Sequence, residues 1–235
     1  QIFHVTCAAA AEEIARAQAR GVRVYAETCP HYLVLTADKL DAPSHIGAQF
    51  LCSPALRSDS DREALWRYLR QGSIGNVTSD HAPYNLKGSD GKFHAGKDAN
   101  FSLIANGMAG IQTRLPILFS EGVSAGRLSL EQFVALSSTR AAKLFGLYPA
   151  KGTLAVGSDA DIVLWDANRH VTITHELMHD GVDHTPWEGH DVVGWPVLTM
   201  SRGRVVAQNG DVSGAEPGWG RLLRRDPYPL DKAAI

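Results

Sequence analysis

The chain has 235 residues, 44% hydrophobic and 20% charged, which is enough apolar material for a sizeable core, and its net charge of -2 gives no field to attract nucleic acid or anionic lipid. No apolar run approaches the roughly 18 residues of a membrane span and no leader-like segment opens the sequence, so the expectation is a cytoplasmic protein with no nucleic-acid or membrane partner. Cys7, Cys29 and Cys52 are too few and too scattered for a disulfide framework and read as reduced thiols.

Residues 2–6 read as a buried strand that begins at once, which suggests a chain cut from something longer. Ala8 to Arg20 is rich in strong helix formers and is closed by Gly21. A β-rich run follows at Val22 to Thr28, then a turn at Pro30 and a loop through Leu40, Pro43 and Gly47. A short apolar run at Gln49 to Cys52, a helix from about Ser60 to Gln71 and a strand at Gly75 to Ser79 complete a strand, helix, strand rhythm. That rhythm predicts an α/β fold with parallel strands, as in a sheet or part of a barrel. Asp80 to about Asn100 has the Gly, Lys, Asp and Asn content of a long functional loop.

Helical patterns return at Gly110 to Ser120 despite Pro116, at Ser129-Leu-Glu-Gln132 with its capping-box signature, and at Arg140 to Phe145. After Pro149 the text changes to short β runs at Lys151 to Gly157, Ala160 to Trp165, Val197 to Ser201 and Arg204 to Ala207, with a hairpin turn around Arg202-Gly203. The predicted organisation is therefore 1–150 as βα units, 151–212 as a small β module and 213–235 as an extended tail lying across another surface or subunit.

Three predicted strands end in polar residues: His4 and Thr6, Glu27-Thr-Cys-Pro-His31, and Thr78-Ser-Asp-His81. In an eight-fold αβ barrel the strand ends at the C-terminal face build the active site, and His and Asp are suitable ligands for zinc and other divalent ions. Taken alone, a strand histidine is more often a satisfied structural residue, and Ser79-Asp80-His81 reads equally well as a turn or a helix N-cap. His175 and His179 have the spacing of a helical metal pair, but no third ligand accompanies them, and the segment His170 to His190 reads as a surface loop.

Read together, His4-Val-Thr, Glu27-Thr-Cys-Pro-His-Tyr-Leu33, Cys52-Ser-Pro-Ala-Leu-Arg57, Thr78-Ser-Asp-His81, Ile104-Ala-Asn-Gly107 and Lys151-Gly-Thr-Leu-Ala-Val-Gly-Ser-Asp-Ala-Asp-Ile-Val163 resemble the ordered landmarks of the dihydropyrimidinase and D-hydantoinase family of the amidohydrolase superfamily. Trp187-Glu-Gly189 and Val193-Gly-Trp-Pro-Val197 resemble its C-terminal region. The resemblance implies a (β/α)8 TIM-like metal-dependent hydrolase barrel, of which this chain holds the C-terminal half, followed by a small β-sandwich module. It implies hydrolysis of a cyclic amide, a dihydropyrimidine or 5-substituted hydantoin, to an N-carbamoyl amino acid by a hydroxide activated between two divalent ions, usually zinc. His4 then ligates one ion, Asp80 binds the other and shuttles the proton as the catalytic residue, and backbone groups at Ser53 and Asn106 hold the substrate's amide edges. The implied partners are the small cyclic substrate, the missing N-terminal half and further copies in a dimer or tetramer.

The family's His-x-His pair, bridging carbamylated lysine, further histidine and oxyanion-stabilising tyrosine have no counterpart here and are expected upstream of His4. Ala55 and Ala105 stand where that family carries proline. His31 and the Asp80-His-Ala-Pro83 run are closer to dihydroorotases and allantoinases. Those enzymes, and a metal-free scaffold that kept the fold, are the alternatives.

Overall fold

The computed structural model describes residues 1–43 and 45–225. Helix α1 (Ala8–Ala19) buries Ala11 and Ile14, and its first N–H group, on Ala8, donates to the carboxylate of Asp61 at 2.9 Å because no side chain of its own caps it. Asp61 lies in the first turn of α3 (Asp59–Gln71), so one carboxylate joins the starts of two helices. Ser58 caps α3, and Gly72 ends it at φ +85, a conformation glycine adopts without steric cost. The face of α3 carrying Ala64, Leu65, Trp66, Tyr68 and Leu69 is buried, with the Trp66 indole N–H donating to Leu33 O at 2.8 Å.

The parallel part of the fold is held by short pairings. Ile2 bridges Ala26, strand β1 (Glu27–Thr28) pairs with β2 (Asn76–Val77), and His81 bridges Met108, all in parallel. Segments near 2, 26–28, 76–81 and 108 thus lie side by side in chain order, separated by helical or long crossovers. The strand predicted over 2–6 is reduced to a bridge plus the Val5 N–H to Glu27 O bond, because His4 between them turns to φ +40. The run over 22–28 pairs only in its last three residues. The turn expected at Pro30 is instead a short helix, α2 (Pro30–Val34), with proline in its first turn, where a missing N–H costs nothing.

Helix α4 (Arg114–Leu118) tolerates Pro116 in its first turn and runs on through a wider π turn to Ser124. The capping box is fully formed: Gln132 N–H donates to Ser129 Oγ at 3.2 Å and Ser129 N–H to Gln132 Oε1 at 2.9 Å. It opens α5 (Leu130–Val134), which continues through another π turn into α6 (Arg140–Leu144).

Residues 151–157 form turns and no strand; Lys151 is engaged by Asp159 and Asp161 instead of by a β ladder. Strands β3 (Ile162–Thr172), β4 (Asp191–Ser201) and β5 (Arg204–Gln208) make an antiparallel sheet in that order. Arg202 and Gly203 both have positive φ, +48 and +81, which suits the predicted two-residue hairpin turn. Among the described residues this sheet stands alone, without the second sheet of a sandwich. It is joined to the helices by an aromatic cluster in which the Trp165 ring lies 4.9 Å from Phe119 and 5.8 Å from Phe133. Gly194 in β4 lets the strand settle on Phe119, since a Cβ there would come within 2.3 Å of that ring.

The described part of the tail folds back on its own hairpin. Trp219 lies under the guanidinium groups of Arg202 and Arg204, at 4.4 and 5.3 Å, and its indole N–H donates to Ser201 Oγ at 3.2 Å. The expected extension of the tail over 226–235 lies outside the described residues. No helix among the described residues is long and apolar enough to cross a membrane.

Candidate active site

The parallel segments share a direction, so their C-terminal ends share a side of the fold, and that is where the polar residues collect. His4 (φ +40) and Asp80 (φ +44) both leave their segments in a backbone conformation that side chains with a Cβ adopt only when the surroundings hold it. Around them the hydroxyls are tied down: Thr28 Oγ1 donates to Val5 O at 2.7 Å, and Thr78 Oγ1 donates to Glu27 Oε1 at 2.7 Å beside the Cys29 thiol at 3.5 Å. Glu27, buried, also accepts from the Gln1 amide at 2.9 Å.

The segment Cys29–Tyr32 is near both predicted ligands, with His4 acting on His31 and Asp80 on Cys29 and Tyr32. Burial and the nearby His4 imidazole push His31 down to about 3, so it is neutral at physiological pH. Burial, with the Asp80 and Glu27 carboxylates adding to it against the Thr78 hydrogen bond, drives the Cys29 thiol up to about 12, which makes it an inert packing group and no nucleophile. Burial raises Cys52 as well, again with a contribution from Asp80. His4 and Asp80 are therefore both felt by the residues of one short turn and helix start.

Ser53 and Asn106 are exposed, but the backbone brings their segments together. Leu51 O accepts from Gly107 N–H at 3.0 Å, so the chain around residue 52 runs against the chain around residue 106. Gly107 is at φ +151 with Ala82 O 2.3 Å from where a Cβ would stand, so no other residue fits there without displacing the backbone beyond Asp80. The Tyr32 hydroxyl donates to Pro54 O at 2.7 Å and fixes the far side of Ser53. Next to Asp80, the Nδ1 atom of His81 accepts from the N–H groups of Gly110 and Ile111 at 3.1 and 3.3 Å.

A metal centre requires more than the described residues display. His4 and Asp80 are donors of the right chemistry, and the Nε2 atom of buried His31 has no hydrogen-bond partner among the described residues. Yet no group of three His, Cys, Asp or Glu side chains converges among the described residues, whereas a stable catalytic zinc site takes three protein ligands. The donor set fits in type and is incomplete in number. The segment at His175 and His179 lies elsewhere: His175 Nε2 contacts Val182 O at 2.5 Å, His179 N–H donates to Gln112 Oε1 at 2.9 Å, and the turn His175–Leu177 is too short to put the two rings on one helix face.

The burial of two groups escaped the sequence reading. His31 was visible only as part of a motif, and its isolation from hydrogen-bond partners has no sequence signature. Lys92, in the Gly- and Asp-rich loop after Asp80, is 1% exposed, although that composition predicts solvation.

The model of the amidohydrolase family matches residues 3–206. Over 228 residues the chain is 45% identical to a D-hydantoinase of Ralstonia pickettii, covering 97% of this chain and 48% of that protein. A crystal structure of D-hydantoinase superposes with a TM-score of 0.92 at 44% identity, covering 97% of this chain and 48% of the other. The crystal structure of dihydropyrimidinase from Brevibacillus agri NCHU1002 superposes with a TM-score of 0.86 at 45% identity, covering 90% and 45%. The chain thus spans about half the length of the curated relatives it matches. With the family model covering residues 3–206, the chain belongs to the amidohydrolase family.

Proposed function

We propose that this chain is the C-terminal half of a cyclic amidase that opens a dihydropyrimidine or 5-substituted hydantoin ring to an N-carbamoyl amino acid. What supports this reading is that His4 and Asp80 lie at the ends of parallel segments, each near the segment Cys29–Tyr32, and that the segments of Ser53 and Asn106 are joined through the backbone. On this reading the four parallel segments are half of a (β/α)8 barrel, residues 1–150 belong to it, 151–212 are a β module whose sandwich is completed elsewhere, and 213–235 form the tail.

Two divalent ions, zinc by donor chemistry, would be held in part by His4 and Asp80 and would acidify the attacking water and polarise the ring carbonyl. The chain's own residues do the rest. Carbonyl and N–H groups at Ser53 and Asn106 grip the two amide edges of the ring and hold its carbonyl in line for attack. The Asp80 carboxylate takes a proton from the attacking water and returns it to the ring nitrogen as the C–N bond breaks, so that the leaving group departs neutral. The partners on this reading are the remaining half of the enzyme and further copies in a dimer or tetramer, and the three free cysteines suit the reducing cytoplasm.

The test is the intact protein loaded with zinc and assayed by chromatography for N-carbamoyl products from dihydrouracil, hydantoin, dihydroorotate and allantoin. Opening of the first two supports the reading; selective opening of either of the last two, or of none, overturns it. The 235-residue chain alone is expected to hold zinc weakly and to lack turnover, and robust hydrolysis by it alone would show that the site is not shared with another half.

A further inference from the structure

The long loop after Asp80 sends one cation into the protein. Lys92 is 1% exposed, and its ammonium donates to Ala105 O at 2.8 Å and Leu51 O at 3.2 Å. No carboxylate among the described residues pairs with it. An aliphatic side chain of the same length would fill this space without the desolvation that a buried charge suffers, so packing does not explain an ammonium here. What the charge provides is a pair of charge-assisted hydrogen bonds between two carbonyls of separate segments.

Those carbonyls belong to the two substrate-edge segments. Leu51 lies two residues before Ser53, and Ala105 lies one before Asn106. Leu51 O also accepts from Gly107 N–H at 3.0 Å, so lysine and glycine together close a ring of contacts between the segments. The loop itself is braced behind the lysine. Lys92 N–H donates to Asn85 O at 2.8 Å, and Asp183 accepts from the N–H groups of Leu86 and Lys87 at 2.7 and 3.3 Å. The stem that leaves Asp80 is thereby fixed from the 183 side and delivers the ammonium to the Ser53 and Asn106 side.

We propose that Lys92 is a positioning residue: its ammonium clamps the Leu51 and Ala105 carbonyls and so sets the spacing between the Ser53 and Asn106 edges that receive the cyclic amide. This deepens the proposed function and rests on it for the identity of the substrate. The clamp governs binding more than chemistry, because Lys92 contacts neither Asp80 nor His4.

The experiment compares wild type with Lys92→Met, which keeps the bulk, and Lys92→Gln, which keeps one donor. In the intact zinc-loaded protein, Lys92→Met is expected to raise KM for hydantoin on the order of tenfold or more, with kcat held within about threefold and Lys92→Gln intermediate, the range set by losing charge-assisted hydrogen bonds. A parallel fall of kcat and thermal midpoint at unchanged KM marks a merely structural lysine and overturns the proposal. Amide hydrogen exchange provides a readout independent of turnover: the Gly107 amide is expected to exchange on the order of tenfold faster in the folded Lys92→Met protein, with the α3 amides at wild-type rates. Wild-type exchange at Gly107 overturns the clamp even if wild type hydrolyses hydantoin. A wild type that opens no ring, with Gly107 still released in the variant, overturns the assigned substrate and leaves the clamp standing.

Discussion

Residues 1–113 and residues 162–208 both contain β structure, and they use it in opposite ways. In the first region the parallel strands are two residues long or shrink to single bridges, yet Glu27, Thr28, Asn76 and Val77 are all buried, and two of the segments lead into His4 and Asp80. In the second, β3 and β4 run for eleven residues each in one open antiparallel sheet, with most of β3 exposed or half-exposed. The short buried strands serve as rigid mounts for side chains, because helices α1 and α3 hold them from outside. The long exposed strands are held by their own ladder, by the aromatic anchor at Phe119, Phe133 and Trp165, and by hydrogen bonds of Val193 with Ser120 and Ser124. Burial per residue, more than strand length, tells where a site is supported.

The sharpest way to break this contrast is to remove chemistry without removing structure. Asp80→Asn in the intact enzyme is expected to lower kcat by about 10² to 10⁴ with little change in thermal midpoint, as loss of a general base does; steady-state kinetics beside a melting curve decides it, and a variant near wild-type turnover refutes the role given to Asp80. Next comes Trp66→Ala, which empties the buried face of α3 and strands the Leu33 carbonyl; about 3 to 5 kcal/mol of stability should be lost, measured by urea titration. Trp165→Ala, in the half-exposed anchor of the sheet, should lose only about 1 to 2 kcal/mol, since the ring contacts to Phe119 and Phe133 are what it forfeits. Equal losses from the two tryptophans would erase the distinction between a buried mount and an anchored sheet.

A pH series isolates the buried lysine. Burial holds Lys92 down at about 8 in the folded protein against an ordinary 10.5, so between those values the unfolded chain binds the extra proton and stability contributed by this group rises with pH. Below about pH 8 the penalty of the buried charge is present in full. The stability of wild type relative to Lys92→Met should therefore climb from pH 8 to 10.5, and a flat difference would mean that the ammonium is solvated. The smallest effect belongs to Ser129→Ala, about 1 kcal/mol from one cap of a formed capping box.

Local signals carried the helices well. Ser58 and Gly72 bracket α3 as cap and terminator, and the Ser129 and Gln132 pair forms both of its bonds, since each depends on neighbours in sequence. β propensity was less informative. Residues 2–6 have the composition of a strand, but the turn of the backbone at His4 is imposed by the residues packed around it, and 151–157 carry β-type residues that the Lys151 ion pairs fold into turns. The placement of His4 and Asp80 at the ends of parallel segments was legible because the strand, helix, strand rhythm is a local pattern. Lys92 and the unpartnered His31 were not, because a loop's composition says nothing about which of its side chains points inward.

One contact beside Asp80 decides the proton inventory of that corner. With the amides of Gly110 and Ile111 both donating to it, the Nδ1 atom of His81 offers a lone pair, and the neutral ring must carry its hydrogen on Nε2. That tautomer makes the outer nitrogen a donor. Of the two adjacent ionisable side chains in Ser79-Asp80-His81, the histidine is thereby committed through its inner nitrogen to the backbone at Gly110 and Ile111.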